Sequence, residues 1–205
     1  MHTEILSDEQ RALLPFVQRF KNKFYLVGGT AIALQIGHRF SIDFDLFCEQ
    51  PFSVSTLHKK IATEFPNYKI LHRSEDQIHY ILNGVKVTFF HYPYPIEHPL
   101  KFDKIITTPN LMTLSAMKAF ALGRRAKWKD YVDLYFLFKN HISLTETIAK
   151  AKEIFKDEFS EKLFKQQLVY FNDIDYQEDV VYLPNFAVNE EEVKTFLIEV
   201  ATREF

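Results

Sequence analysis

The chain is most tightly constrained by one block, in which a glycine pair ends a short apolar run and two alternating acids follow. The apolar run 24–27 leads into Gly28 and Gly29, and Asp43 and Asp45 follow on a segment of alternating character. This pattern predicts a short strand, a glycine turn that opens a helix, and then a second strand. That order suits a site that holds a triphosphate and a divalent metal side by side.

The two acids are predicted to share one face of their strand, because residues two apart on a strand point the same way. The segment 42–47 alternates apolar residues with Asp43 and Asp45. Carboxylate oxygens at this spacing suit Mg²⁺ or Mn²⁺ rather than zinc. The alternative interpretation is an amphipathic strand with a solvated acidic face.

The glycine pair is predicted to form a phosphate-binding turn. Backbone N–H groups can approach an anion there, the start of a helix favours negative charge, and Thr30 adds a hydroxyl donor. The segment matches neither Gly-x-Gly-x-x-Gly nor a Walker loop, so the dinucleotide and P-loop interpretations are excluded. Alternatively, Gly28 and Gly29 form a tight turn without a ligand.

A third cluster of charged residues occupies positions 118–135. Lys118 and Arg125 share one face of a helix if that helix continues to residue 125, and Asp130 shares a face with Asp133. Cations there can neutralise a triphosphate. Either acid can orient a cation, hold a basic side chain or act as a base. The alternative is a salt-bridged, solvated helix face.

The order of the predicted elements indicates an α+β chain. A capping box at Ser7 begins a helix that Pro15 is expected to kink or shorten. Strands at 42–47 and 68–72 flank a helix capped by Ser53, and Asn83-Gly84 joins strands 77–82 and 85–91 as a two-residue hairpin. The segment 92–108 is a loop or a boundary. Helices dominate from Pro109 onward, with one or two over 144–168 and a last one capped by Asn189. We therefore predict two domains, 1–108 and 109–205.

Composition narrows the class of protein. The 205 residues are 47% hydrophobic, which is ample for a core, and the formal net charge of −2 gives no overall basic field for nucleic acid. The single Cys48 excludes an internal disulfide, favours a buried thiol and fits a reducing cytosol. No apolar run reaches the length of a membrane span. We expect a soluble, cytoplasmic protein without a membrane partner.

The histidines and aromatic residues carry weaker signals. The eight histidines show no metal-ligand spacing. Trp128, Tyr92 and Tyr94 can stack on a base, but burial in the core is the favoured interpretation.

Taken in order, these blocks resemble the AbiEii-type nucleotidyltransferase toxin family, part of the polymerase-β-like superfamily. The matching segments are 27–34, 38–47, 118–125 and 129–135, and the resemblance covers about Phe24 to Phe138. It implies a small mixed-sheet nucleotidyltransferase core followed by an all-helical C-terminal domain, with the active site in the cleft between them.

The resemblance also implies residue roles. It assigns nucleotide binding to Gly28, Gly29, Thr30, Ser41, Lys118 and Arg125. It assigns catalysis to Asp43, Asp45, Lys118, Asp130 and Asp133, with Asp43 and Asp45 holding Mg²⁺ or Mn²⁺. Such enzymes transfer a nucleoside monophosphate (NMP) from a nucleoside triphosphate (NTP) to an acceptor, which in related toxins can be tRNA, and release pyrophosphate. An RNA or protein acceptor and an antitoxin protein are the implied partners.

One departure from the superfamily pattern leaves alternatives open. Members often carry a third acid on a later strand, but the strand 85–91 offers Lys86 and Thr88 and no acid. Either the helical acids substitute, or metal binding is weakened and the chain is a poorly active or inactive module that binds a nucleotide or a protein. A third alternative is an unrelated enzyme or structural protein in which the acids are surface residues.

Overall fold

The computed structural model describes residues 1–203, which form a mixed sheet packed with helices. The helices are α1 (Asp8–Gln18), α2 (Gly28–Ile36), α3 (Val54–Glu64), α4 (Leu111–Leu122), α5 (Trp128–Asn140), α6 (Leu144–Phe155), α7 (Glu161–Leu168) and α8 (Glu190–Thr202). The strands are β1 (Tyr25–Val27), β2 (Asp43–Cys48), β3 (Lys69–Arg73), β4 (Gln77–Leu82), β5 (Val85–His91), β6 (Leu100–Phe102) and β7 (Ile106–Thr108).

Within residues 1–203, five strands form the main sheet in the order β1-β2-β5-β4-β3. Only the β2–β5 pair is parallel, and the other neighbours are antiparallel. Five helices, α4 to α8, follow the last strand in this described part of the chain. The predicted α+β class, with a mixed sheet followed by a helical part, is confirmed.

Local sequence signals explain where several helices begin. Ser7 forms the predicted capping box with Gln10, and the side chains of Ser53 and Asn189 cap α3 and α8. α1 continues through Pro15 to Gln18, so Pro15 does not shorten it as expected. The carbonyl that loses its donor belongs to Arg11, an exposed residue that water can reach.

The hairpin between β4 and β5 forms as predicted. Asn83 and Gly84 both have positive φ, at 49° and 84°, as a two-residue turn of this kind requires. The segment 92–108 is not merely a loop, because β6 and β7 pair within it as a second, two-stranded sheet. Each of these strands has three residues, too few to show a period.

The apolar core is continuous across the predicted domain boundary. Phe44 and Phe89, on the inner face of the sheet, belong to the same cluster as Leu134 of α5. The division at residue 108 therefore stays a prediction. Cys48 is buried as expected, and burial raises the pKa of its thiol to about 11. Among residues 1–203, no helix has the length and apolar character needed to cross a membrane.

Candidate active site

A cavity of about 520 Å³ lies between one face of the sheet and α4. Seven of the residues predicted for the site line it: Gly28, Gly29, Ser41, Asp43, Asp45, Lys118 and Arg125. Thr30, Asp130 and Asp133 do not line the cavity, and each is buried beside a residue that does. The structure thus brings together the acids, the glycine turn and the cations that the sequence predicted.

The glycine turn lies directly against the acids. α2 begins at Gly28, whose φ of +73° is unfavourable for other residues. A β-carbon there would overlap the Asp45 carboxylate, and one at Gly29 would overlap the guanidinium of Arg39. Glycine is therefore required at both positions because side chains approach the backbone closely.

Thr30 fastens the turn to the acidic strand. It is 1% exposed, and its hydroxyl hydrogen-bonds Ser41 Oγ (2.9 Å) and the carbonyl oxygen of Asp43. Its side chain is thus engaged with β2 and the residues just before it. The predicted nucleotide contact of Thr30 stays a prediction, and its placement favours a role in holding Ser41 and Asp43.

Asp43 and Asp45 face the cavity, while Phe44 and Leu46 on the same strand are fully buried in the core. Asp43 Oδ2 lies 3.3 Å from Lys129 Nζ and 3.5 Å from Lys86 Nζ. The Asp45 carboxylate has no hydrogen bond or salt bridge within residues 1–203. Its oxygens are thus available to a ligand.

The donor set fits a hard divalent cation. No cluster of three or more His, Cys, Asp or Glu side chains suited to a metal occurs in the described chain. Mg²⁺, however, is commonly held by one or two carboxylates together with substrate phosphates. The unpaired Asp45 carboxylate beside Asp43 matches that pattern.

Asp133 is the centre of a buried ionic cluster behind the cavity wall. It is 0% exposed and accepts hydrogen bonds from His38 Nε2 (2.8 Å) and from Arg39 Nε (2.7 Å) and Nη2 (3.0 Å), and it lies 2.9 Å from Lys118 Nζ. Burial alone would raise its pKa, but the charges of Arg39 and Lys118 hold that pKa well below the usual range. Asp133 is therefore a carboxylate that holds three basic side chains.

Asp130 holds the two predicted phosphate-binding cations. It is 0% exposed, 2.7 Å from Lys118 Nζ and 3.2 Å from Arg125 Nε. Burial opposes its ionisation, yet these two charges keep its pKa below the ordinary value. The helix does not continue to residue 125, as a shared helix face required, since α4 ends at Leu122. Lys118 and Arg125 still converge because Asp130 pairs with both.

The residues predicted for catalysis and nucleotide binding leave out two lysines at the cavity, whose sequence interpretation is a basic surface for RNA phosphates. Lys127 and Lys129 line it, and Lys129 pairs with Asp43. Burial would lower the pKa of Lys129, but Asp43 and Glu178 raise it above the ordinary value. The only available signal was the Lys-x-Lys pattern, which usually marks a solvated surface.

Residues 175–183, called the strap here, supply the acid that faces these lysines. Asp175 exchanges backbone hydrogen bonds with Ala126 (2.7 Å) and Trp128 (3.0 Å), and Val181 accepts one from Phe40 (2.8 Å). Between these anchors, Glu178 pairs with Lys127 and Lys129. Despite partial burial, these hydrogen bonds lower its pKa to about 2.

The sequence of the chain matches a known protein family and a related bacterial protein. A family model described as nucleotidyl transferase AbiEii toxin, type IV toxin–antitoxin system, matches residues 14–201. An uncharacterized protein of Aquifex aeolicus (strain VF5) is 36% identical over 176 residues, covering 82% of this chain and 84% of that protein.

Solved structures share the fold at low sequence identity. MenT4, a nucleotidyltransferase toxin from Mycobacterium tuberculosis, has a TM-score of 0.60 at 13% identity over 94% of this chain and 81% of that one. A putative nucleotidyltransferase from H. pylori has a TM-score of 0.55 at 22% identity, covering 95% and 94%.

Proposed function

We propose that this chain, which belongs to the AbiEii nucleotidyl transferase toxin family, transfers an NMP from an NTP to an acceptor and releases pyrophosphate. The observation that carries the proposal is the unpaired Asp45 carboxylate, which lies against the glycine turn in a cavity walled by cations. Phosphoryl-transfer sites combine carboxylates that hold a metal with basic side chains that neutralise the phosphates.

Asp43 and Asp45 are the residues that would hold Mg²⁺ or Mn²⁺. When bound, such an ion supplies positive charge that stabilises the transferring phosphoryl group. Gly28 and Gly29 line the cavity at the start of α2, where backbone N–H groups would donate to the triphosphate. Lys129, which pairs with Asp43 and Glu178, would exchange the Glu178 carboxylate for phosphate oxygens.

Lys118 and Arg125 would neutralise the triphosphate and the departing pyrophosphate. Asp130 pairs with both, and its full burial supports a positioning role rather than contact with the substrate. The same argument holds for Asp133, which fixes Arg39 and Lys118. Both acids act through the basic side chains that they orient.

The acceptor is proposed to be RNA, with tRNA as the specific candidate and protein as the alternative. Arg124, Arg125, Lys127 and Lys129 line the cavity and are available to contact RNA phosphates around its opening. The proposed biological role is that of a cytoplasmic toxin restrained by an antitoxin protein, and the toxin–antitoxin description of the family supports the toxin and antitoxin part of it.

A second candidate is a weakly active or inactive module that binds a nucleotide or a protein. Lys86 favours it, because this cation is paired in register with Asp43 on the strand where a third acid is missing. Its ammonium lies 3.5 Å from Asp43 Oδ2 and would oppose binding of a metal ion there.

Incubation of the purified protein with each α-³²P-labelled NTP, Mg²⁺ and total RNA tests the proposal. Wild type should label RNA or protein, and Asp45→Asn should reduce labelling by about 10²-fold or more, since removing one electrostatic contact in an active site has that effect. The control Asp157→Asn removes an exposed carboxylate outside the cavity and should keep full activity. Thermal unfolding establishes that both variants are folded.

Full transfer by Asp45→Asn would contradict the proposed mechanism. NTP binding by wild type without Mg²⁺ dependence and without turnover would instead support the module.

A further inference from the structure

The floor of the cavity changes from charged to aromatic along the direction of its strands. On β2, Asp43, Asp45 and Phe47 follow one another on the cavity face, and on β5 the partners of Asp45 and Phe47 are Thr88 and Phe90. Residues two apart on a strand are separated by about 6.5 Å. A ligand whose phosphates lie at Asp45 and that extends toward the ends of β2 and β5 would have its next group above Phe47 and Phe90.

These aromatic side chains are not needed to fill the core. Phe44 and Phe89, on the opposite face of the same strands, are 0% exposed, whereas Phe47 and Phe90 are only partly buried and line the cavity. The Phe47 and Phe90 rings meet edge to face, with centroids 5.0 Å apart. They leave apolar aromatic surface open to the cavity.

The opposite wall adds Tyr94 and the Arg124 guanidinium. Phe120 of α4 is 7% exposed and has no free ring face, because Phe155 stacks on one face (centroids 3.9 Å apart) and the Arg124 guanidinium covers the other, 3.6 Å from the centroid. Tyr94 contacts Phe120 with centroids 5.5 Å apart. The Arg124 side chain is 51% exposed, so its donors remain accessible.

We propose that this aromatic end of the cavity, formed by Phe47, Phe90 and Tyr94, binds a nucleobase by stacking. The inference rests on the proposed function and adds specificity residues to it. The cavity of about 520 Å³ is within the range of small-molecule sites. The base belongs either to the NTP or to a nucleotide of the acceptor, and the two sources share the same stacking chemistry.

Calorimetry with two probes, the preferred NTP and inorganic tripolyphosphate, tests the proposal. Inorganic tripolyphosphate carries the charge of an NTP but no base, so it reports only the phosphate end. Phe90→Leu keeps much of the apolar volume and removes the ring, and it should weaken binding of the preferred NTP about fivefold or more. Tripolyphosphate binding should not change.

Phe52→Leu is the matched control, since Phe52 is a partly buried ring outside the cavity that packs on Phe24. It should change neither affinity. Phe47→Leu gives a second variant in the case that Phe90→Leu does not fold, as judged by circular dichroism.

The remaining outcomes either identify the source of the base or overturn the inference. Unchanged NTP affinity with a raised KM for the RNA acceptor supports a base of the acceptor. Unchanged NTP affinity and unchanged acceptor KM in both variants overturn the inference while leaving the proposed function intact. A wild-type protein that binds neither probe and transfers nothing overturns both.

Discussion

Replacing Asp133 with asparagine removes one charge from a buried cluster and keeps the shape of the side chain. Wild-type Asp133 is in contact with His38, Arg39 and Lys118, all within 3.0 Å. Lys118 would keep its second partner, Asp130, at 2.7 Å. Arg39 would lose its only salt-bridge partner within residues 1–203, and its side chain is 5% exposed.

The expected loss of stability follows from that geometry. Removing one partner of a buried ion pair costs about 3–5 kcal/mol, because the remaining charge has neither a partner nor water. Asp130→Asn is the matched comparison. Its partner Arg125 is 52% exposed and can turn to solvent, and Lys118 keeps its pair with Asp133. The free energy of unfolding is therefore expected to fall by about 1.5–3 kcal/mol.

Urea unfolding at pH 7 measures both variants. With an unchanged slope, Asp133→Asn should lower the midpoint by about 1–2 M and Asp130→Asn by less. Transfer activity is measured on the fraction that remains folded. An Asp133→Asn protein with wild-type stability and no transfer would refute the reasoning, because Asp133 would then be a catalytic group and not a positioning residue.

The pH dependence of stability gives an independent check that Asp133 is ionised in the folded protein. The pKa of Asp133 is depressed in the folded state, so its ionised form contributes stability that is fully present above the unfolded-state pKa of about 3.9. That contribution is lost as the pH falls through the folded-state pKa. The stability gap between wild type and Asp133→Asn should therefore narrow below about pH 4, and a gap that narrows between pH 8 and pH 5 would contradict this assignment.

Two further predictions concern the cavity. Gly28→Ala should lower transfer about 10²-fold, because a β-carbon there displaces the Asp45 carboxylate. The matched control is Gly84→Ala, at a residue that also has a positive φ (+84°) but lies in open space. It should lower the free energy of unfolding in urea by only about 1–2 kcal/mol and leave transfer unchanged. Glu178→Gln should tighten tripolyphosphate binding by calorimetry about twofold to fivefold, since the carboxylate no longer competes with the anion for Lys129. Weaker binding would show instead that Glu178 positions the lysine for phosphate.

Much of the secondary structure could be predicted because it depends on near neighbours. The caps at Ser7, Ser53 and Asn189 and the Asn83-Gly84 turn are set by contacts within a few residues. The orientation of Asp43 and Asp45 follows in the same way from the two-residue period of a strand.

The rest depends on contacts between distant residues. Lys129 reaches Asp43 across 86 positions and Glu178 across 49. The strap has no periodicity that would reveal it, because it is held by backbone bonds at its two anchors. Whether Asp133 faces a substrate or the core depends on which side of α5 packs on the sheet, and no local pattern contains that information.

The buried ionic cluster also limits how the cleft can move. Asp133 of α5 pairs with Arg39, just before β2, and with Lys118 of α4, so the sheet and the helices meet through charges. Separating two apolar surfaces slightly lets water in gradually, whereas separating buried ions leaves each one unpaired before it is hydrated. Hinge opening along this seam is therefore strongly opposed. We therefore expect the opening of the cavity to keep a nearly constant width as a substrate enters, and turnover not to require separation of α4 and α5 from the sheet.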